Sequence, residues 1–540
     1  MNLLVDRLLH DTTAVSLPGF LPELLLCATI VVLLLAKVLP LLSRVDPLVW
    51  AFGGLAAAAM AAIPQQGLSE VHRTELFTGM LVIDPMAAYL RVLLLGFGVL
   101  LLLLTKLTGL ADRSSGQDFY VLVVGALLGM CLMVEANHLL IVFLAVEMAS
   151  VPSYVLAGVE KGRPRAGEAA LKYAVFGAGA SGVMLYGISL IAGLLGTAHL
   201  PTLASRLAEM NTAASASPQA PTLVLMLAAV MIMVGLAFKL SAVPFHFWCP
   251  DVFEGAPAEI GALLSVASKT AALALLVRVA MIATPTAPID RVVADPPAAV
   301  QVAAATPAAV PTPAGFVALL IGSLAIATCT FGNLAAYAQT SLKRMLAYST
   351  IAHAGYMMMP VAAAVAVAGA QPATAELAIA ALLLYAGVYL FMNLGAFAIA
   401  ALVERSTGSD QIDDYAGLIR SSPVTAVALA VVLFSLLGMP PLAGFFAKFA
   451  AFRALALVWS PLSITMLAVA AVNTAISLVY YLRVARVATM HDEPDTRGPV
   501  QLGMLSVIYV AAVTLPLVLL GLFPGGLADA AQQAARGLWP

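Results

Sequence analysis

The chain has 540 residues, of which 62% are hydrophobic and only 10% are charged. Soluble globular proteins carry roughly 25% charged residues. This composition, with a mean hydropathy of +1.01, therefore excludes a soluble enzyme and indicates a protein that crosses a membrane many times. The formal net charge of −2 excludes a strongly basic nucleic-acid-binding protein.

Fourteen apolar segments follow one another along the chain. A membrane-spanning helix needs about 20 apolar residues, and hydrophobicity on all sides favours helices over the alternating strands of a β-barrel. The sequence therefore predicts an all-α polytopic membrane protein with about 14 transmembrane helices. The predicted segments cover residues 18–39, 47–63, 84–106, 118–136, 139–157, 168–194, 221–248, 256–284, 314–336, 343–367, 374–403, 423–452, 462–486 and 500–523.

The loops indicate the orientation and contain no extra domain. With the N-terminus outside, fourteen of the 26 Lys and Arg fall in inner loops and six in outer loops, which places the cytoplasm on the richer side. The outer loop 285–315 is rich in Pro and Ala, as is the shorter loop 200–220, and we expect both to be flexible linkers. Neither resembles a soluble domain that could hold a nucleotide or a flavin.

The four cysteines lie far apart in apolar stretches, and no CxxC motif occurs. Iron–sulfur clusters, zinc fingers and c-type haem therefore lack their usual ligands, and we expect no cofactor or metal in this chain.

Four ionisable residues lie deep inside predicted helices. Glu147, Lys239, Lys269 and Lys448 are each flanked by apolar residues on both sides. Glu147 follows His138 by nine residues, or about 13 Å of helix, which is near the middle of a hydrocarbon core roughly 30 Å thick. A charge at that depth costs about 2.5–3.5 kcal/mol, so each must face a partner, water or both.

These buried charges favour proton transfer. Static salt bridges between helices are the alternative, but three lysines and one glutamate cannot pair one-to-one. A buried Lys changes its protonation state readily whereas Arg does not. We therefore expect a proton relay gated by Lys239 and Glu147. His353, in a polar stretch with Ser349, Thr350 and Tyr356 nearby, is a further relay candidate because imidazole titrates near neutral pH.

Two of the predicted helices are interrupted. Pro244 follows Lys239, and the sequence GMPP ending at Pro441 precedes Lys448. Proline breaks the backbone ladder of a helix, and the freed carbonyl groups are tolerated in a membrane where they line a cavity. The two interruptions lie five segments apart, as an inverted-topology repeat requires. We therefore predict that segments four to eight repeat as segments nine to thirteen.

Other ionisable residues have more local explanations. Lys172 lies four residues after Glu168, the spacing of an ion pair on one helix. Asp84 followed by Pro85 is typical of a helix N-cap, and Arg91, two turns further, is expected to reach a neighbouring chain or the membrane interface.

Several stretches resemble a known family. FLAVEMASVPSYVLAG, GLAFKLSAVPFHFWCPDVFEGAP, LKRMLAYSTIAHAGY and LLGMPPLAGFFAKFAAF are similar to the subunit N family of bacterial respiratory complex I, the NADH:quinone oxidoreductase. The resemblance extends from about residue 84 to 486. It implies two inverted five-helix repeats with broken seventh and twelfth helices, and a proton path through a carboxylate on helix five and lysines on helices seven, eight and twelve. Those positions here are Glu147, Lys239, Lys269 and Lys448.

The resemblance also implies a domain organisation. Residues 1–117 would hold three N-terminal helices, 118–284 and 314–486 the two repeats, 285–313 a periplasmic linker, and 487–540 the last helix and a tail. The 285–315 insert departs from the family pattern.

The resemblance further implies a setting for the chain. FMN, iron–sulfur clusters and quinone would belong to other subunits, and the partners would be the other membrane-arm subunits and the lipid bilayer. The location would be the bacterial inner membrane with a periplasmic N-terminus. Two alternatives remain, which are a subunit of an Mrp-type Na⁺/H⁺ antiporter and a purely structural subunit.

Overall fold

The computed structural model describes residues 9–40, 42–64, 67–113, 116–213, 220–284, 312–494, 498 and 500–538. Within these residues, eleven helices are long and apolar enough to cross a bilayer, or twelve if the bent pair Asp11–Gly19 and Leu21–Leu35 forms one span. The chain is thus an α-helical, multi-pass membrane protein, as predicted. The predicted linker 285–313 falls almost wholly on residues 285–311, which lie outside the described residues.

The N-terminal region contains three helices and a small hairpin. Helices α2 (Pro47–Ala61) and α3 (Pro85–Thr108) begin at aspartate caps, where Asp46 accepts from the Leu48 amide and Asp84 from the Ala87 amide at 2.8 Å. The first of these bonds lowers the pKa of Asp46. Between the helices, strands β1 (Thr74–Leu76) and β2 (Leu81–Ile83) pair antiparallel, which the sequence did not indicate. The helices are α1 (Leu21–Leu35), α2 (Pro47–Ala61) and α3 (Pro85–Thr108).

The middle of the chain forms a first group of five helices, of which two are broken. The seventh breaks after Leu240, as predicted. The segment predicted as one helix over 256–284 is instead two, interrupted at Val266; no Gly or Pro marks this break. The helices are α4 (Gly116–Glu135), α5 (Leu139–Ala157), α6 (Pro164–Leu195), α7a (Ala220–Leu240), α7b (Trp248–Gly255), α8a (Ala258–Ser265) and α8b (Ala267–Ala280).

The loop predicted over residues 200–220 is partly a helix, Leu200–Ala213, so that prediction is wrong for its first part. Leu200, Leu203 and Leu207 are buried because their spacing of three to four residues puts them on one helix face. The apolar face of this helix packs against the other helices. Its apolar residues were hard to recognise as a helix face in the sequence, because Pro, Thr and Asn lie among them.

The second group of five helices also contains a broken member, interrupted at Gly438 before Lys448. After it come α14 (Met504–Leu522) and a short helix, α15 (Gly525–Ala535), that packs on α11 (Pro372–Thr407) and α3. The expected tail is therefore partly helical, because Ala531, Ala534 and Ala535 form a small apolar face that is buried. The helices of the group are α9 (Pro313–Ala336), α10 (Leu342–Val367), α11 (Pro372–Thr407), α12a (Pro423–Leu437), α12b (Ala443–Val458) and α13 (Pro461–Met490).

Contacts in the first group recur in the second. A Cβ atom on Gly129 of α4 would collide with the backbone of Ala149 on α5, and one on Gly332 of α9 with the backbone of Ala352 on α10. Each member of the second pair lies 203 residues after its counterpart. The same interval separates His138 from Ser341, and both residues make an isolated antiparallel bridge, to residues 199 and 411 respectively.

Candidate functional site

Lys239 contacts the helix that carries Glu147, through a serine of that helix. Glu147 and Ser150 are three residues apart and share a face of α5. Lys239 Nζ donates to Ser150 Oγ at 3.0 Å, and Ser150 donates to the carbonyl of Val146 at 2.6 Å. Ser181 of α6 donates to Glu147 Oε1. Among the described residues no carboxylate lies within 4 Å of Lys239 Nζ, so the predicted pair makes no direct ion pair, and Ser150 holds the ammonium group of Lys239.

The two members of this pair differ in burial. Lys239 is 1% exposed at the end of α7a, whereas Glu147 is half-buried. Glu147, in contrast, reaches the lateral surface of the helix bundle.

Lys269 lies fully buried at the break in the eighth helix. It is the third residue of α8b, and its Nζ donates to the carbonyl of Thr350 on α10 at 3.2 Å. The first turn of a helix disfavours a cation, so this position adds to the electrostatic cost of a positive charge on Lys269.

His353 is held between two tyrosine hydroxyls. Its Nδ1 lies 2.8 Å from Tyr385 Oη and its Nε2 3.2 Å from Tyr481 Oη. Tyr481 in turn lies 2.5 Å from Ser349 Oγ. A neutral imidazole has one donor and one acceptor nitrogen, so this arrangement engages both and makes a continuous line of hydrogen bonds.

Lys448 is bound by the break in the twelfth helix. Its Nζ donates to the carbonyl of Leu437 at 2.9 Å, a carbonyl that the end of α12a leaves without a helical partner. The ammonium group also lies 4.8 Å from the centroid of the Tyr356 ring, within cation–π range.

Helix α10 links these groups. Thr350, His353 and Tyr356 follow one another at intervals of three residues on α10. Thr350 contacts Lys269, His353 lies among tyrosines, and Tyr356 contacts Lys448. The structure therefore places Lys269, His353 and Lys448 in a row along α10, apart from Glu147 and Lys239. The sequence indicated these residues but not the contact between Tyr356 and Lys448.

Further buried charges pair within the chain, and sequence reasoning missed most of them. Arg278 of α8b donates to both oxygens of Asp84, at 2.8 and 3.0 Å. Arg91 contacts Glu23 at 2.7 Å and Glu135 at 2.8 Å. The expectation that Arg91 reaches another chain or the interface is thus wrong, because two carboxylates of its own chain enclose it. The sequence signal that could have identified these buried pairs was the presence of charged residues inside otherwise apolar segments.

The remaining local prediction is confirmed. Lys172 lies 2.7 Å from Glu168, as its spacing suggested, and also 2.7 Å from Asp251. Within the described ranges, no group of three or more His, Cys, Asp or Glu side chains could hold a metal ion.

Broken helices with buried lysines at each break define the chain as an antiporter-like membrane subunit. The pattern of the NADH:quinone oxidoreductase/Mrp antiporter transmembrane family matches residues 136–294 and 298–477, and the chain belongs to this family. It is 37% identical over 530 residues to NADH-quinone oxidoreductase subunit N of Anaeromyxobacter sp. (strain Fw109-5), covering 95% of this chain and 96% of that one. It is 37% identical over 499 residues to the subunit of the same name from Geobacillus kaustophilus (strain HTA426), covering 92% and 91%.

Solved structures share the fold. A chain of respiratory complex I from Thermus thermophilus with bound aureothin matches with a TM-score of 0.70 and 30% identity, covering 94% of this chain and 98% of that chain. A chain of the Mrp complex from Dietzia sp. DQ12-45-1b matches with a TM-score of 0.73 but only 20% identity, covering 96% and 98%. The second likeness concerns the fold alone.

Proposed function

We propose that the chain is a proton-translocating membrane subunit of an NADH:quinone oxidoreductase, with NADH oxidation and quinone reduction taking place in other subunits. The observation that carries this proposal is the row of buried ionisable and hydroxyl groups along α10, from Lys269 to Lys448. Relatives named NADH-quinone oxidoreductase subunit N over nearly the whole length support it.

Glu147 and Lys239 form the gate of the proposed path. Two charges about 8 Å apart in a medium of effective dielectric near 20 interact by roughly 2 kcal/mol, which changes a protonation equilibrium roughly 30-fold. If Glu147 takes a proton or moves, Lys239 loses that stabilisation and can release its own proton. Ser150 holds the Lys239 ammonium group in place for this transfer.

Lys269 is the central relay, and His353 continues it. The imidazole can accept a proton at one nitrogen and release one at the other, and Tyr385 and Tyr481 occupy both sides. Lys448 connects onward to the outer side or to the next subunit. Redox energy from the other subunits reaches this chain as a coupling free energy between sites.

The proposal includes fourteen membrane crossings. The shorter apolar helices Pro47–Ala61 and Pro423–Leu437 would each cross, the second together with α12b. Residues 118–284 and 314–486 would be inverted repeats, because an offset of five crossings reverses the direction of the chain. The contacts that recur at an interval of 203 residues support this. Residues 1–117 and 487–540 would flank the repeats.

The chain would work in the bacterial inner membrane, with a periplasmic N-terminus, among the other membrane-arm subunits. The half-buried Glu147 supports the presence of a neighbouring subunit at that face. A carboxylate at the lateral surface of a helix bundle is costly in contact with lipid, and a neighbouring subunit would shield it. FMN, iron–sulfur clusters and quinone would be held elsewhere in the complex.

The test is proton pumping measured against quinone reduction in a Lys269→Ala variant of the intact assembly. We expect fewer protons per quinone reduced with the complex still assembled, while Lys172→Ala, which lies outside the row, leaves the ratio unchanged. An unchanged ratio in Lys269→Ala would contradict the proposal. Na⁺/H⁺ exchange by the purified chain alone in vesicles would favour the Mrp-type function instead.

A further inference from the structure

A second cluster of buried charges lies outside the proposed path. Glu23 is in the first turn of α1, Arg91 is two turns into α3, and Glu135 is the last residue of α4. Their side chains are 0%, 5% and 1% exposed. We call these three residues the N-terminal triad.

The contacts within the N-terminal triad leave carboxyl oxygens without donors. Arg91 Nη2 donates to Glu23 Oε2 at 2.7 Å and to the carbonyl of Gly19 at 3.2 Å. Arg91 Nε lies 2.8 Å from Glu135 Oε1, but its N–H does not point at that oxygen. Among the described residues, Glu23 Oε1 and both oxygens of Glu135 accept no hydrogen bond from a nitrogen or hydroxyl donor. Both carboxyl groups lie against the same guanidinium group of Arg91.

The charges of the triad do not balance if both carboxyl groups are ionised. One guanidinium would then face two carboxylates, and burial makes an unmatched charge costly. The neighbouring Arg278 of α8b makes no ion pair with either glutamate and is instead paired with Asp84 through two hydrogen bonds. The other titratable groups facing the triad, Cys27 of α1 and Cys131 of α4, add no positive charge.

A proton resolves this imbalance. A carboxylate has only acceptor atoms, so two carboxyl groups in contact need a proton between them to make a hydrogen bond. Two adjacent carboxyl groups that share a site also resist being ionised together. We propose that Glu23 and Glu135 share one proton beside Arg91, so that the N-terminal triad is a proton-binding site separate from the row of lysines.

Polar residues lie between the triad and one end of the helix bundle. Val134, next to Glu135, accepts from Arg278 Nε at 2.6 Å. Asn137, two residues further, contacts Glu75 at 3.1 Å and His199 at 3.0 Å, whose side chains are 43% and 27% exposed. These polar groups lie at the end of the bundle where α1 and α3 begin, which is the end nearest the triad.

The first test is infrared spectroscopy of the full chain in lipid bilayers at neutral pH. The unsubstituted chain should show a protonated-carboxyl stretching band that Glu23→Gln and Glu135→Gln each remove, because the remaining carboxylate then ionises against Arg91. The matched control is Glu404→Gln, since Glu404 pairs with Lys343 at 3.1 Å and should contribute nothing to the band. A band unchanged in both triad variants would overturn the proposal.

A second measurement covers the case in which those variants fold poorly. Solid-state NMR of a Glu147→Gln chain carrying ¹³C-labelled glutamate should show a protonated side-chain carboxyl at neutral pH, and its absence would refute the shared proton. Neither test measures pumping, so the outcome is independent of the function proposed above for the lysines.

Discussion

The two helix groups surround their buried lysines differently. In the first, Lys239 is the last residue but one of α7a, before the break, and a carboxylate lies one helical turn from the serine that holds it. In the second, Lys448 follows the break on α12b and is held by a carbonyl and an aromatic ring. No acidic side chain lies within 4 Å of Lys448 in the part of the chain that the structure describes.

The interval of 203 residues identifies which positions of the two groups correspond. It places Thr350 where the first group has Glu147, and His353 where it has Ser150. The first group thus has a carboxylate that can gain or lose charge. At the corresponding positions the second group has the hydroxyl of Thr350 and the imidazole of His353, and this imidazole contacts two tyrosine hydroxyls. This difference supports the proposal of a charge-controlled gate followed by a proton-conducting row.

The largest effect is expected from the glycines that both groups share. Gly129→Val and Gly332→Val each force a side chain into the backbone of the next helix, and overpacking of this kind costs about 3 kcal/mol. Thermal unfolding of the assembled complex should show similar losses for the two variants. Gly179→Val, at a glycine with open space beside it, is the control. A loss at only one of the two sites would break the correspondence between the groups.

Removal of either lysine should have the next largest effect. Proton transfer by a positioned side chain contributes on the order of 100-fold or more, so Lys239→Ala and Lys448→Ala should each reduce pumping by about that factor. Lys239→Arg should fail as well, because a guanidinium does not release its proton. Quinone-coupled pumping in vesicles measures this, with assembly checked by native electrophoresis. A Lys239→Arg variant that pumps normally would mean that only the charge matters.

A smaller effect on pumping should distinguish the first helix group from the second. Glu147→Gln removes a coupling of roughly 2 kcal/mol and should lower pumping up to about 30-fold. Thr350→Ala, at the corresponding place in the second group, should have little effect, because Lys269 contacts the Thr350 backbone carbonyl and not its hydroxyl. Equal losses in the two variants would show that the first group has no special gate.

The sequence could predict the residues of the site better than their surroundings. A charge inside an apolar segment is visible without a structure, so Glu147, Lys239, Lys269 and Lys448 were found as candidates. The break at Val266 was not found, because no proline or glycine marks it and tertiary contacts determine it.

Contacts between distant segments were equally hidden. Glu23, Arg91 and Glu135 come from three helices, and spacing along one helix cannot show that they meet. The hairpin of β1 and β2 was missed because two strands of three residues are too short for alternation to show. Fold class and helix positions were predictable because hydrophobic length is itself the physical requirement for crossing a bilayer.

The smallest expected effect tests whether Ser150 belongs to the gate. Ser150→Ala removes a hydrogen bond worth about 1 kcal/mol and should reduce pumping roughly fivefold. Combined with Glu147→Gln, the loss should be smaller than the product of the single losses, because both substitutions act on Lys239 and neighbouring sites are not additive. Combined with Tyr481→Phe, which alters the His353 contacts of the second group, the losses should multiply. Multiplicative losses in both combinations would mean that Ser150 only packs α5 against α7a, and that Lys239 works without it.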